Sequence, residues 1–109
     1  MLRIHETAIE LVGDVVVLLE VIERRDPDLA RQGRRAVMSV PLNVSEGANQ
    51  SGRRREQHYR YALGSAREAW SVVRVAHAAK YIDAPSPELT NKFNTVIGSL
   101  HRCLFKRVA

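Results

Sequence analysis

With 109 residues, 17 Lys and Arg and 12 Asp and Glu, the chain has a net charge of +5; it can bury one modest core, and its charge suits an anionic partner or extensive ion pairing. The single cysteine, Cys103, excludes an internal disulfide and lacks companions for a zinc cluster, which fits a reducing compartment. The longest apolar run, Val15 to Leu19, is closed by Asp14 and Glu20, far short of the roughly 20 residues of a membrane span, and the N-terminal MLRIHETAIE lacks the apolar core of an export signal. The expectation is therefore a cytoplasmic protein with no membrane association, forming a single domain over residues 1–109.

In chain order, Ile4, Ala8, Leu11, Val15, Leu18 and Ile22 step by fours and threes, which predicts a first helix from about residue 4 to 25. Arg24 and Arg25 fall in its last turn, where cations complement the dipole. Asp26-Pro27-Asp28 supplies a cap, a proline at the first helical position and an acid at the second, so a second helix starts there. Its stripe of Ala30, Gly33, Val37, Val40, Val44 and Ala48 runs straight through Pro41, predicting a bent helix rather than a stop. Asn49-Gln50-Ser51-Gly52 is the connection. Tyr59, Ala62, Ala66, Ala69, Val73 and Ala76 mark a third helix from about 53 to 81, and Asp83-Ala84-Pro85 links it to a fourth from about 87 to 106, opened by Ser86-Pro87-Glu88 and striped by Leu89, Phe93, Val96, Leu100 and Cys103. No strand pattern competes. Short connections between long helices predict an all-α fold, an antiparallel up-down-up-down four-helix bundle.

The motif Ser39-Val40-Pro41-x-Asn43-Val44-x-Glu46-Gly47, followed by a basic turn and Tyr61-Ala62-Leu63-Gly64-Ser65-Ala66-Arg67-Glu68, resembles the central pattern of the four-helix bundle proteins encoded in intervening sequences of 23S ribosomal RNA genes, also labelled S23 ribosomal proteins. The order and spacing match over about thirty residues. The resemblance implies a homopentameric barrel and kinship with the basic accessory proteins of diversity-generating retroelements, which bind a reverse transcriptase and nucleic acid. It implies no established enzymatic activity. In Glu68-Ala69-Trp70 the chain departs from the family, which more often has leucine after the glutamate.

Read as chemistry, Asn43, Glu46, Ser65 and Glu68 form a candidate buried polar network between helices two and three, with Gly64 and Ser65 allowing close backbone approach beside Pro41, while Gly47 either lets another helix approach or simply weakens the last turns. The alternative is a hydrolase using Glu46 and Glu68 as paired carboxylates, but neither a nucleophile nor a metal is signalled. His5, His58, His77 and His101 show no metal-ligand spacing, so no metal or cofactor is expected, and Cys103 reads as a small buried hydrophobe. No catalytic residue is assigned.

Charge is distributed unevenly: residues 1–28 hold seven acids and three bases, and residues 29–80 ten bases and three acids. Arg53, Arg60, Arg67 and Arg74 recur every seven residues, forming one row that drifts about 20° per heptad over roughly 30 Å. Glu6, Glu10 and Asp14 form an acidic row on the first helix. These rows either pair, within or between subunits, or form a phosphate-binding face to which Arg31, Arg34, Arg35, Arg54 and Arg55 add. The first helix also carries a second apolar row, Val12, Val16 and Leu19, beside Val17 and Val21, more apolar surface than one bundle covers, which predicts a ring-shaped homo-oligomer. The expected function is a non-enzymatic scaffold binding RNA or DNA, or else a pure protein-interaction module with a partner such as a reverse transcriptase.

Overall fold

The computed structural model describes residues 2–105 and, among them, contains four helices and no strand: α1 (Leu2–Glu23), α2 (Pro27–Ala48), α3 (Gly52–Ala78) and α4 (Pro87–Phe105). Predicted Lys106, at the end of the fourth helix, lies outside the described residues. α1 packs on α2 and α4, and α3 on α2 and α4, around one apolar cluster in a molecule 44 Å long in its longest direction. The α2–α3 interface is the most extensive.

The helix starts follow the predicted chemistry. Asp26 accepts a hydrogen bond from the Leu29 amide at 3.0 Å, with Pro27 opening α2, and the Ser86 hydroxyl accepts one from the Leu89 amide at 3.1 Å ahead of Pro87. Each cap satisfies an amide that the helix itself leaves unpaired. α1 ends at Glu23, earlier than the spacing predicts, because Arg24 and Arg25 close a turn in which the Asp26 amide returns to the Ile22 carbonyl. Arg25 then lies over the Tyr81 ring, 5.3 Å from its centre.

α3 likewise stops at Ala78, three residues early. The Lys80 amide donates to the His77 carbonyl and the Tyr81 amide to the Ala76 carbonyl, both at 2.9 Å, while Lys80 takes φ +67°. This pattern terminates a helix through a left-handed residue, a position glycine usually fills.

Ile4, Ala8, Leu11, Val15 and Ile22 are buried as predicted, but Leu19 replaces Leu18 in the core of α1. The two lie about 100° apart on the helix, so periodicity alone leaves either available. The choice is made by Gly33 on α2: a Cβ there would come within 2.7 Å of Leu19 and 2.9 Å of Val72, so the bare glycine seats both neighbours. Gly47 does the same for the Tyr59 ring, which a Cβ would meet at 2.4 Å. Gly64 does not. It is exposed, with nothing within 4 Å of a built Cβ, contrary to the close approach expected of it.

Cys103 is exposed rather than buried. The last core residue of α4 is Leu100, and the half-buried Leu104 takes the next inward position because a 3.6-residue helix drifts off a strict four-three pattern. α2 passes through Pro41 without interruption, and that proline is buried.

Two substitutions test these constraints. Gly47→Ala should lower stability by about 1–3 kcal/mol through forced displacement of Tyr59, and Lys80→Gly should raise it by about 1 kcal/mol by relieving the left-handed residue, both read from urea unfolding midpoints.

Candidate nucleic-acid interface

The motif residues do meet between α2 and α3, though in a different set from the one predicted. Ser39 and Asn43, one turn apart, face α3. The Asn43 amide nitrogen donates to the Ser39 carbonyl at 3.0 Å and to the Ser39 hydroxyl at 2.9 Å. Ser65 donates its hydroxyl to that of Ser39 at 2.9 Å. With its nitrogen so engaged, Asn43 offers its oxygen to His58 Nδ1 at 3.1 Å, which makes that ring nitrogen the donor. The cluster is half-buried and complete, and no buried side-chain polar atom is unsatisfied among the described residues.

Glu46 and Glu68, expected in this network, are both exposed and take no part in it. Their helical positions turn them outward, because an ionised carboxylate is costly to bury without a cation. His58 takes the place assigned to them. Nothing in the sequence pairs it with Asn43, since the two meet only once the helices fold against each other. Neither serine hydroxyl is hydrogen-bonded to a ring nitrogen, so the cluster joins helices and does not form a nucleophile and base pair.

The turn between the helices is built around Gly52 at φ +58°, which is the left-handed region that glycine enters without strain. Ser51 precedes α3 in extended backbone with no side-chain cap, and no acid stands in the first turn. Of the three arginines that follow, Arg55 is engaged: its Nε donates to the carbonyls of Gly47 at 3.2 Å and Gln50 at 2.9 Å. Its Nε therefore closes the C-terminal end of α2, where a cation meets the negative end of the dipole. For the Tyr59 phenol, burial is the larger influence and leaves the group above its ordinary value, although Arg55 pulls it down.

The other predicted cations divide into two groups. Arg31 pairs with Asp28 on its own helix, Arg34 with Glu23 of α1 at 3.3 Å, and Arg60 with Glu56 at 2.9 Å while lying over the Phe105 ring. Arg35, Arg53, Arg54, Arg67 and Arg74 have no carboxylate partner among the described residues, and all five are exposed. On α3 the row Arg53, Arg60, Arg67 and Arg74 lies opposite the buried stripe of Ala62, Ala66, Ala69 and Val73. The acidic row of α1 is partly consumed by Lys92, which reaches Asp14 at 2.8 Å and Glu10 at 3.3 Å; those bonds, Asp14 first, raise the ammonium above its ordinary value.

A family model described as 23S rRNA-intervening sequence protein matches residues 1–102. The chain belongs to that family. Comparison with curated proteins and with solved structures returns no match. In this member of the 23S rRNA-intervening sequence proteins, the residues Ser39, Asn43, Gly47 and Ser65 of the central motif join α2 to α3, while Glu46, Gly64 and Glu68 of the same motif point away from that interface. No helix among the described residues is long and apolar enough to cross a membrane.

Because the two subsets have different surroundings, they should respond differently to truncation. Asn43→Ala leaves His58 Nδ1 without its acceptor and takes one of two donors from the Ser39 hydroxyl, and should cost about 1–3 kcal/mol. Glu46→Ala and Glu68→Ala should stay within about 0.5 kcal/mol, as surface changes do. Thermal and urea unfolding of the three variants separates the outcomes.

Proposed function

We propose that this protein is a non-enzymatic scaffold that holds RNA or DNA by its phosphates through an arginine face. The observation that carries the reading is the exposed α3 row, in which Arg53, Arg67 and Arg74 have no carboxylate partner among the described residues. Arg54 extends the unpaired set. Guanidinium groups unengaged by carboxylates can bind phosphate as paired forks. A row of them running along a helix follows a backbone without reading bases.

The architecture proposed is one domain, an antiparallel up-down-up-down bundle that assembles into a ring in the cytoplasm. The opposed registers support the antiparallel order: Ser39 meets Ser65 while Asn43 meets His58, and Trp70 meets Phe93 while Arg60 meets Phe105. Exposed apolar side chains support assembly, among them Ile9 at 50%, Val17 at 63% and Leu42 at 66%. A homopentamer is the ring size that the family resemblance implies.

The same exposed apolar residues favour a second reading, a protein-interaction module without affinity for nucleic acid, whose partner would be a protein such as a reverse transcriptase. Tyr61 and Val75 on α3 add to that surface.

Fluorescence anisotropy with a labelled RNA, titrated at several salt concentrations, decides between them. Binding should weaken steeply with salt, and replacing Arg53, Arg54, Arg67 and Arg74 by Gln should flatten the log K against log salt slope by about 0.7–0.9 for each phosphate no longer neutralised. Arg55→Gln should lower stability instead. An unmodified protein that binds neither RNA nor DNA at low salt would leave the protein-interaction reading standing.

A further inference from the structure

Two unlike apolar surfaces stand open on this chain. The first is a groove of about 980 Å³ between α1 and the segment that leads from the end of α3 into α4. Its floor is Val17, Leu18, Val21 and Leu89, with Val17 63% and Val21 40% exposed. At the loop end its rim carries Asp83 and Glu88, neither of which has a salt-bridge partner among the described residues. The second surface is a ridge on α2. Arg31, Arg35, Met38 and Leu42 are spaced four, three and four, hence on one side of the helix. Leu42 is 66% and Met38 41% exposed, and none of the four lines the groove.

A concave and a convex apolar surface on different faces of one chain cannot cover each other within it. Between copies they can. We infer that the groove of one subunit receives the α2 ridge of a second copy, with Met38 and Leu42 seated on Val17 and Val21 and Arg35 placed against Asp83 and Glu88. This deepens the oligomeric reading given above and rests on it. Charge supports the pairing: among the charged residues lining the groove Lys92 is engaged by Asp14, and the unpaired carboxylates of Asp83 and Glu88 outnumber the one remaining ammonium, Lys80, so the groove holds an acidic excess for Arg35, which is itself unpaired within the described residues. Length supports it as well. Met38 to Leu42 on the ridge and Val17 to Val21 in the groove each rise about 6 Å along their helices, one turn apiece.

Gly13 has a further part here. A glycine inside a helix weakens it, and a Cβ at Gly13 would meet nothing within 4 Å in this chain. Its bare backbone lies at the groove wall, where it leaves room for a neighbouring helix to come close. An interface that uses different surfaces on its two sides is heterologous; repeated with a rotation that closes, it generates a ring.

The test uses Leu42→Asp, which spoils only the ridge, and Val17→Asp, which spoils only the groove. Each should yield a helical monomer by circular dichroism and light scattering at micromolar concentration. Mixed in equal amounts they should form a dimer and nothing larger, because only the ridge of one and the groove of the other remain intact. Assembly of either variant to the wild-type size, or a mixture that stays monomeric, would overturn this pairing while leaving another oligomer possible. A monomeric wild type would overturn the oligomeric reading itself, and the pairing with it. Should either variant lose its helicity, the charged residues decide: Arg35→Glu and Glu88→Arg should each weaken assembly, and the two combined in one chain should restore it. Absence of that restoration rejects the pairing.

Discussion

The rest of the structure depends on how closely α2 and α3 approach each other. Two positions on α2 have no side chain, and each is filled by a neighbour: Leu19 and Val72 crowd Gly33, and the Tyr59 ring lies on Gly47. With Tyr59 fixed, His58 beside it reaches Asn43, and Ser65, two turns further on, reaches Ser39. The polar cluster thus depends on an apolar fit. It adds direction to that fit, since a half-buried set of hydrogen bonds is satisfied in only one register.

The same approach sorts the arginines. A tight turn at Gly52 brings Arg55 back onto the last carbonyls of α2, where it neutralises a helix end. Its neighbours Arg53 and Arg54, on the other sides of the same first turn, are left outside. Three consecutive arginines therefore have two different roles, determined by the helical rotation of about 100° between them. Further along, alanines at 62, 66 and 69 keep the inner face of α3 thin and fully buried, so the arginine row on its back stands clear of the core.

Charge asymmetry along the chain survives folding only in part. Lys92 gathers Glu10 and Asp14, and Arg34 takes Glu23, so the acidic first helix is partly neutralised by α4 and α2. What remains is an excess of unpaired arginine on α2 and α3. Exposed ion pairs of this kind contribute little to stability, about 0–1 kcal/mol each. Their chief effect is on which charges stay available at the surface.

The sequence by itself determined the four helices and most of the core, because apolar spacing at three and four residues has a single structural solution and because Asp26-Pro27 and Ser86-Pro87 cap helices locally. The family, too, was legible in the string from Ser39 to Glu68. Tertiary structure decided whatever depended on a neighbour. Leu19 rather than Leu18 is buried because Gly33 stands opposite it, and Cys103 is exposed because α4 rotates off its stripe in the last turn. Likewise His58, fifteen residues from Asn43, joins the polar cluster while Glu46 and Glu68 leave it. Periodicity places a residue on a side of its own helix; which partner waits there, and whether that partner can satisfy a charge, is fixed only when the helices pack.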